Sequence, residues 1–136
     1  MARPKAKQLT ERELEIMHFF WDASSADGST NNGELTAQQV RDALAKSGRR
    51  LAYTTVATLV RILHEKDFLN MTHDQRPFRY QAARSFDDVS SSILGDLVDR
   101  VFSGSREAML VQLMDQRRLT AKERAALKKI LREEQR

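Results

Sequence analysis

The chain has 136 residues, enough for one compact domain or two small lobes and short for most multi-domain enzymes. Apolar residues make up 40% and charged residues 31%, and no run approaches the ~18 uninterrupted apolar residues of a membrane span. Zero cysteines exclude disulfides, Cys-ligated zinc, iron–sulfur clusters and thiolate catalysis, while a net charge of +4 favours polyanionic partners only mildly.

The basic N-terminal stretch with Arg3, Lys5 and Lys7 reads either as a DNA-contacting arm or as a solvated terminus. No signal-peptide run follows it, because Glu11, Arg12, Glu13 and Glu15 intervene, so a cytoplasmic location without membrane insertion is expected. Thr10 and Glu13 form a capping box, and Leu14, Met17 and Trp21, flanked by Ile16 and Phe20, predict a helix through about Asp22. Residues 23–33 lack apolar periodicity and read as a surface loop. Leu35 can pair briefly in a sheet. Thr36 and Gln39 form a second capping box, opening a helix with Ala37, Val40 and Leu44 inward and an end near Ser47-Gly48.

A third helix is predicted from about Tyr53 to Lys66, with Val56, Leu59, Val60 and Leu63 on one side and Thr54, Thr58, Arg61 and Glu65 on the other. Phe68–His73 and Phe78–Gln81 read as two short strands around a polar tip. Helix, helix, hairpin is the outline of a winged helix-turn-helix over residues 1–84, including the basic arm. Residues 85–136 read as helices only. Ile93, Leu94, Leu97, Val98, Val101, Phe102, Leu110, Leu113 and Met114 are more apolar surface than a lobe of some 50 residues can cover alone. The expected fold class is therefore mainly α with a small β-hairpin wing, followed by a C-terminal helical dimerisation region.

Three threonines in five positions at a helix start, Thr54, Thr55 and Thr58, beside Tyr53 and Arg61, exceed what helix propensity favours. Duplex DNA accounts for them: hydroxyls bond phosphates, threonine methyls meet thymine methyls, and arginine bonds guanine O6 and N7. The alternative is an ordinary amphipathic helix with a weakly polar face. Arg76, Arg79 and Tyr80 in the hairpin suit backbone contact or simply a solvated tip. His18, His64 and His73 lack ligand spacing, and neither a catalytic triad nor a phosphate loop can be read. No metal, cofactor or enzymatic activity is expected.

The segments Leu9–Trp21, Tyr53–Leu59, Arg76–Tyr80 and Val101–Ser105, in that order, resemble the penicillinase-repressor family of BlaI, MecI and CopY type over about Leu9 to Leu131. The resemblance implies homodimeric winged-helix repressors that bind an inverted-repeat operator through double-stranded DNA, with intertwined C-terminal helices. It also implies, for part of the family, release by a membrane-bound sensor protease. The family's cleaved Asn-Phe bond aligns with Gln112 and Leu113, a segment that reads equally as dimer interface. The chain departs from the pattern in a longer loop after the first helix, in Arg61-Ile62 within the recognition helix, and in Lys66-Asp67 where Lys-Gly is usual. The copper-responsive branch's cysteine cluster is absent. A different class of function, a protein-interaction adaptor on the same scaffold, is set apart by salt: phosphate contacts weaken steeply as salt rises.

Overall fold

The structure is a computed structural model that describes residues 8–25, 33–116 and 118–135. The N-terminal arm and the centre of the loop after the first helix lie outside the described residues. The elements run α1 (Glu11–Ser25), β1 (Leu35–Thr36), α2 (Ala37–Lys46), α3 (Tyr53–Glu65), β2 (Leu69–His73), β3 (Arg79–Ala82), α4 (Phe86–Val101), α5 (Arg106–Gln116) and α6 (Ala121–Glu134). This is a winged helix followed by a helical region, the fold class expected.

All three capping boxes form. The Thr10 and Glu13 N–H groups are met by Glu13 and Thr10 side chains at 2.9 and 3.2 Å. Thr36 and Gln39 exchange the same bonds at 2.8 and 3.1 Å, and Thr120 and Glu123 at 2.8 and 3.0 Å. Each supplies acceptors to donors that a helix start cannot pair internally. At the other ends, Gly48 closes α2 with φ +94° and Asp67 closes α3 with φ +69°. The Phe68 N–H returns to the Leu63 carbonyl at 3.0 Å and the Asp67 N–H to His64 at 3.1 Å. That Schellman pair holds an aspartate in the left-handed conformation glycine usually supplies.

The sheet order is β1-β3-β2, antiparallel throughout, with Tyr80 of the central strand opposite Leu35 on one side and Met71 on the other. A bulge between Met71 and His73 brings His73 opposite Arg79. The hairpin's second strand therefore starts one residue later than the sequence suggested, leaving Phe78 on the tip at 36% exposure. α1 likewise runs to Ser25, beyond the expected end at Asp22, because the apolar pattern stops before the backbone must. The core joins Ile16, Met17 and Phe20 of α1, Val40 and Leu44 of α2, Val56, Val60 and Leu63 of α3, Phe68 just before β2, and Leu69 and Tyr80 of the sheet. The Trp21 indole N–H donates to the Arg84 carbonyl at 2.9 Å, tying α1 to the strand exit.

The chain divides into two compact units at Val89/Ser90, inside α4 and beyond the expected Arg84/Ser85 junction. Val89, 4% exposed, belongs to the first core, so the opening turn of α4 packs with the winged helix. Among the described residues no helix is long and apolar enough to cross a membrane.

Candidate nucleic-acid interface

Helix α3 is sorted by its own periodicity. Val56, Val60 and Leu63 are buried, Thr55 and Leu59 are half-buried, and Tyr53, Thr54, Thr58 and Arg61 are exposed. The Thr58 hydroxyl donates to the Thr54 carbonyl at 2.8 Å. Its O–H is thereby committed to the helix, which leaves Thr58 the acceptor lone pairs of the hydroxyl and the methyl group for a base edge. The Arg61 guanidinium meets Glu65 at 3.2 Å, both side chains about 60% exposed. Such a solvated i,i+4 pair contributes little and exchanges readily for a stronger acceptor.

The start of α3 is unusual in the opposite sense from the capped helices. Ala52 occupies the N-cap with no side-chain hydrogen bond, so the first N–H groups of α3 face outward unsatisfied, a ready seat for a phosphate oxygen. Replacing Ala52 by Ser is expected to stabilise the fold by about 1 kcal/mol through a new cap and to weaken DNA binding, because the hydroxyl takes the donor a phosphate would use. Urea denaturation and fluorescence anisotropy with duplex DNA measure the two effects on one variant.

Between α3, the start of α2 and the wing lies a groove of about 620 Å³. It brings together Tyr53, Thr58, Arg61 and Arg76 from the sequence-predicted set and leaves Thr54, Thr55 and Arg79 outside its lining. Arg79 instead faces Glu34 at 3.9 Å, whereas Arg76 has no ion-pair partner among the described residues. Sequence reasoning missed Gln38 and Phe78 as lining residues and gave Tyr80 only a wing role. The capping box at Thr36 marked the helix start that presents Gln38, but no local pattern shows that this start adjoins the wing. Burial pushes the Tyr80 phenol up, the neighbouring Tyr53 phenol adds to the push, and the Arg61 guanidinium opposes it. The three side chains thus share one electrostatic neighbourhood.

Two of the three histidines serve packing, and His73 is exposed on β2. His18 lies edge-on to Trp21 at 5.3 Å and His64 to Tyr80 at 5.8 Å. Among the described residues no His, Asp and Glu cluster could hold a metal ion.

The second unit exposes an apolar face. Ile93, Leu94, Leu97 and Val101 on α4 and Leu110, Leu113 and Met114 on α5 are 40–64% exposed. Two of the expected interface residues differ: Val98 is covered within its own chain at 8% exposure, and Phe102 is half-buried. Val98 points inward on the same helix whose Ile93, Leu94, Leu97 and Val101 point out, and Phe102 follows directly after that helix, distinctions that composition cannot make. Conversely Val111, Leu127, Ile130 and Leu131, outside the expected set, are 39–55% exposed. Gln112 and Leu113 sit within α5, both exposed.

The family model for the penicillinase repressor matches residues 9–133. The chain is 32% identical over 130 residues to a transcriptional regulator BlaI of Mycobacterium tuberculosis, covering 95% of this chain and 86% of that protein. It is 24% identical over 127 residues to the methicillin resistance regulatory protein MecI of Mammaliicoccus sciuri, covering 93% of this chain and 95% of that protein. The Staphylococcus aureus MecI is 23% identical over the same length.

Proposed function

Because the chain belongs to the penicillinase repressor family, whose members are DNA-binding transcriptional regulators and not enzymes, we propose that it is a homodimeric repressor reading an inverted-repeat operator. The observation that carries this reading is the joint placement of Tyr53, Thr58, Arg61 and Arg76 around one groove lined by no carboxylate. A lining of hydroxyls and guanidiniums, with Glu65, the partner of Arg61, outside it, suits a polyanion with base edges at its centre. In this reading Thr54, Thr55, Thr58 and Arg61 enter the major groove, Tyr53 and the uncapped start of α3 take a phosphate, and Arg76 and Arg79 hold the backbone from the wing.

Dimerisation through the second unit is supported by its exposed apolar side chains. Each of them, when fully buried, contributes roughly 1.5–3 kcal/mol, so a lone copy forgoes a large stabilisation. Linking two reading heads raises the effective concentration of the second to about the millimolar range and affinity by about 10² to 10⁴. Cleavage at Gln112-Leu113 by a membrane-bound sensor protease is the induction route in this proposal, since severing the lobe removes that gain while the winged helix keeps its own core. The bond lies inside α5, so the helix must open locally before a protease can engage it as extended chain. Incubation of the protein with membranes from induced cells, followed by mass spectrometry, tests the route. An intact chain with the operator nonetheless released removes cleavage from the reading.

The reading as a whole is tested by selecting duplexes from a random pool with the full-length protein and measuring binding to the winners across salt. An inverted repeat and a steep fall of affinity with salt are expected; selection of no sequence, or binding indifferent to salt, rejects it. Arg61→Ala is expected to cost about 1–3 kcal/mol and to relax one base position per half-site. Arg76→Ala and Arg79→Ala are expected to weaken all duplexes alike and flatten the salt slope, with Arg76 the larger effect because Arg79 is partly engaged by Glu34. Anisotropy titrations against a panel of single-base operator variants read all three.

A further inference from the structure

Tyr80 stands on the central strand with 6% of its surface exposed. Its hydroxyl has no hydrogen-bond partner among the described residues. Every fully buried side-chain polar atom among them does have one, so this hydroxyl must reach solvent, and the space available to it is the groove that Tyr80 lines. A phenol otherwise enclosed by protein, whose O–H meets only solvent, can donate to an acceptor that enters from that side.

What surrounds the hydroxyl defines the acceptor. The guanidiniums of Arg76 and Arg61 line the same groove and no carboxylate does, the exposed Glu65 that meets Arg61 at 3.2 Å standing outside the lining. The capping box occupies the Gln39 N–H, so the N–H groups that precede it at the start of α2, beside Ala37 in the groove wall, lack intrahelical partners. Uncommitted donors and two cations favour an oxyanion. The lining also carries two open rings: Tyr53 is 47% exposed and Phe78 is 36% exposed, both large aromatic surfaces. A bare phosphate would satisfy the donors and leave these rings uncovered. The volume of about 620 Å³ falls within the roughly 300–1,000 Å³ of small-molecule sites.

We infer that the groove is a binding site for a small aryl oxyanion, a carboxylate or phosphate carried on an aromatic ring, and that such a ligand displaces DNA directly. The anion is held by Arg76, Arg61 and the Tyr80 hydroxyl, and the ring covers Tyr53 and Phe78. Displacement follows because Arg61 and Thr58 line the groove and also form the outer face of α3. Only the displacement rests on the DNA reading proposed above; the binding does not. Release by a ligand would need no cut in the second unit and would be reversible on dilution.

The test titrates the full-length protein with phenyl phosphate, inorganic phosphate and phenol, following binding by calorimetry and by the tyrosine ring resonances. Phenyl phosphate is expected to bind one per chain and at least about tenfold tighter than either fragment, because only it both buries a ring and meets the donors. Tyr80→Phe is expected to weaken it about tenfold, the loss of one hydrogen bond to a charged group, with the melting temperature showing that the fold persists. Arg76→Ala, on the exposed wing, is expected to weaken it similarly without any packing change. Phenyl phosphate is also expected to displace the selected duplex at the concentration set by its directly measured affinity.

Inorganic phosphate binding as tightly as phenyl phosphate would overturn the proposal, reducing the groove to a seat for a backbone phosphate. So would phenyl phosphate binding that ignores both substitutions. If the duplex binds and phenyl phosphate does not, the small-molecule site is rejected and the repressor reading stands. If phenyl phosphate binds through Tyr80 and Arg76 in a protein that binds no duplex, the site stands and the repressor reading fails.

Discussion

Replacing Leu94 and Leu97 together by Asp is expected to turn the proposed dimer into a folded monomer and to lower operator affinity by about 10² to 10⁴. Both are large apolar side chains of α4 left open to solvent, at 51% and 40% exposure. Each chain then loses two large apolar contributions of roughly 1.5–3 kcal/mol apiece. Because a two-fold interface uses the same face twice, the loss is doubled per dimer, and the aspartates would in addition have to be buried as charges. None of the first unit's core residues changes, so the winged helix should keep its cooperative unfolding. Sedimentation equilibrium reports the assembly and anisotropy the binding. A double variant that remains dimeric, or a monomer that binds the operator as the parent does, contradicts the proposed role of this face.

Lys66→Met is expected to destabilise the first unit by about 3 kcal/mol. Glu13, 3% exposed, is the one charged side chain buried in the described residues, and the Lys66 ammonium donates to it at 2.8 Å and to the Gln8 carbonyl at 3.0 Å. The pair braces the start of α1 against the end of α3, the helix whose outer face carries the proposed DNA contacts. Burial by itself pushes the Glu13 carboxyl up. The Lys66 hydrogen bond, the Thr10 N–H, the Lys66 charge and the Thr10 hydroxyl together outweigh it, and the carboxyl is held below its ordinary value of 4.5.

A depressed folded-state pKa binds fewer protons in the native state than in the unfolded chain. The pair's contribution is therefore complete above the ordinary carboxylate value and is lost as pH falls through the lowered one. Without Lys66 two of the lowering influences are lost while burial remains, so Glu13 of the variant takes up its proton at a higher pH than Glu13 of the parent and the variant loses less stability in acid. The stability difference between parent and Lys66→Met is thus expected to be widest near neutrality and to shrink in acid. Chemical denaturation of both proteins from pH 7 to pH 3.5 measures it; a difference independent of pH would assign the loss to packing of the lysine stem and not to its charge.

Much of the architecture is local and was therefore readable along the chain. The three capping boxes need only residues three apart, and each formed because the acceptor and the donor it satisfies belong to the same turn. The two-sided pattern of Tyr53–Glu65 is likewise local, so which residues of α3 turn outward followed from periodicity alone. The family could be named from motifs in order. The short strands were found but misplaced by a residue or so, since strand ends are decided by pairing, and the bulge opposite Arg79 belongs to the partner strand.

What only tertiary structure decided are the meetings of distant residues. Glu13 and Lys66 are ordinary charged residues on two helices until folding removes one of them from water, and no spacing links positions so far apart. The groove is of the same kind: Tyr80 alternates correctly for a buried strand residue, but its hydroxyl borders a groove only because α2, α3 and the wing meet around it. Apolar content in residues 85–136 predicted a surplus, yet the choice between Val98, covered by its own chain, and Val101, 64% exposed, depends on the direction in which each side chain leaves α4. Composition measures how much surface must be buried, and only the packed backbone determines which part its own chain leaves open.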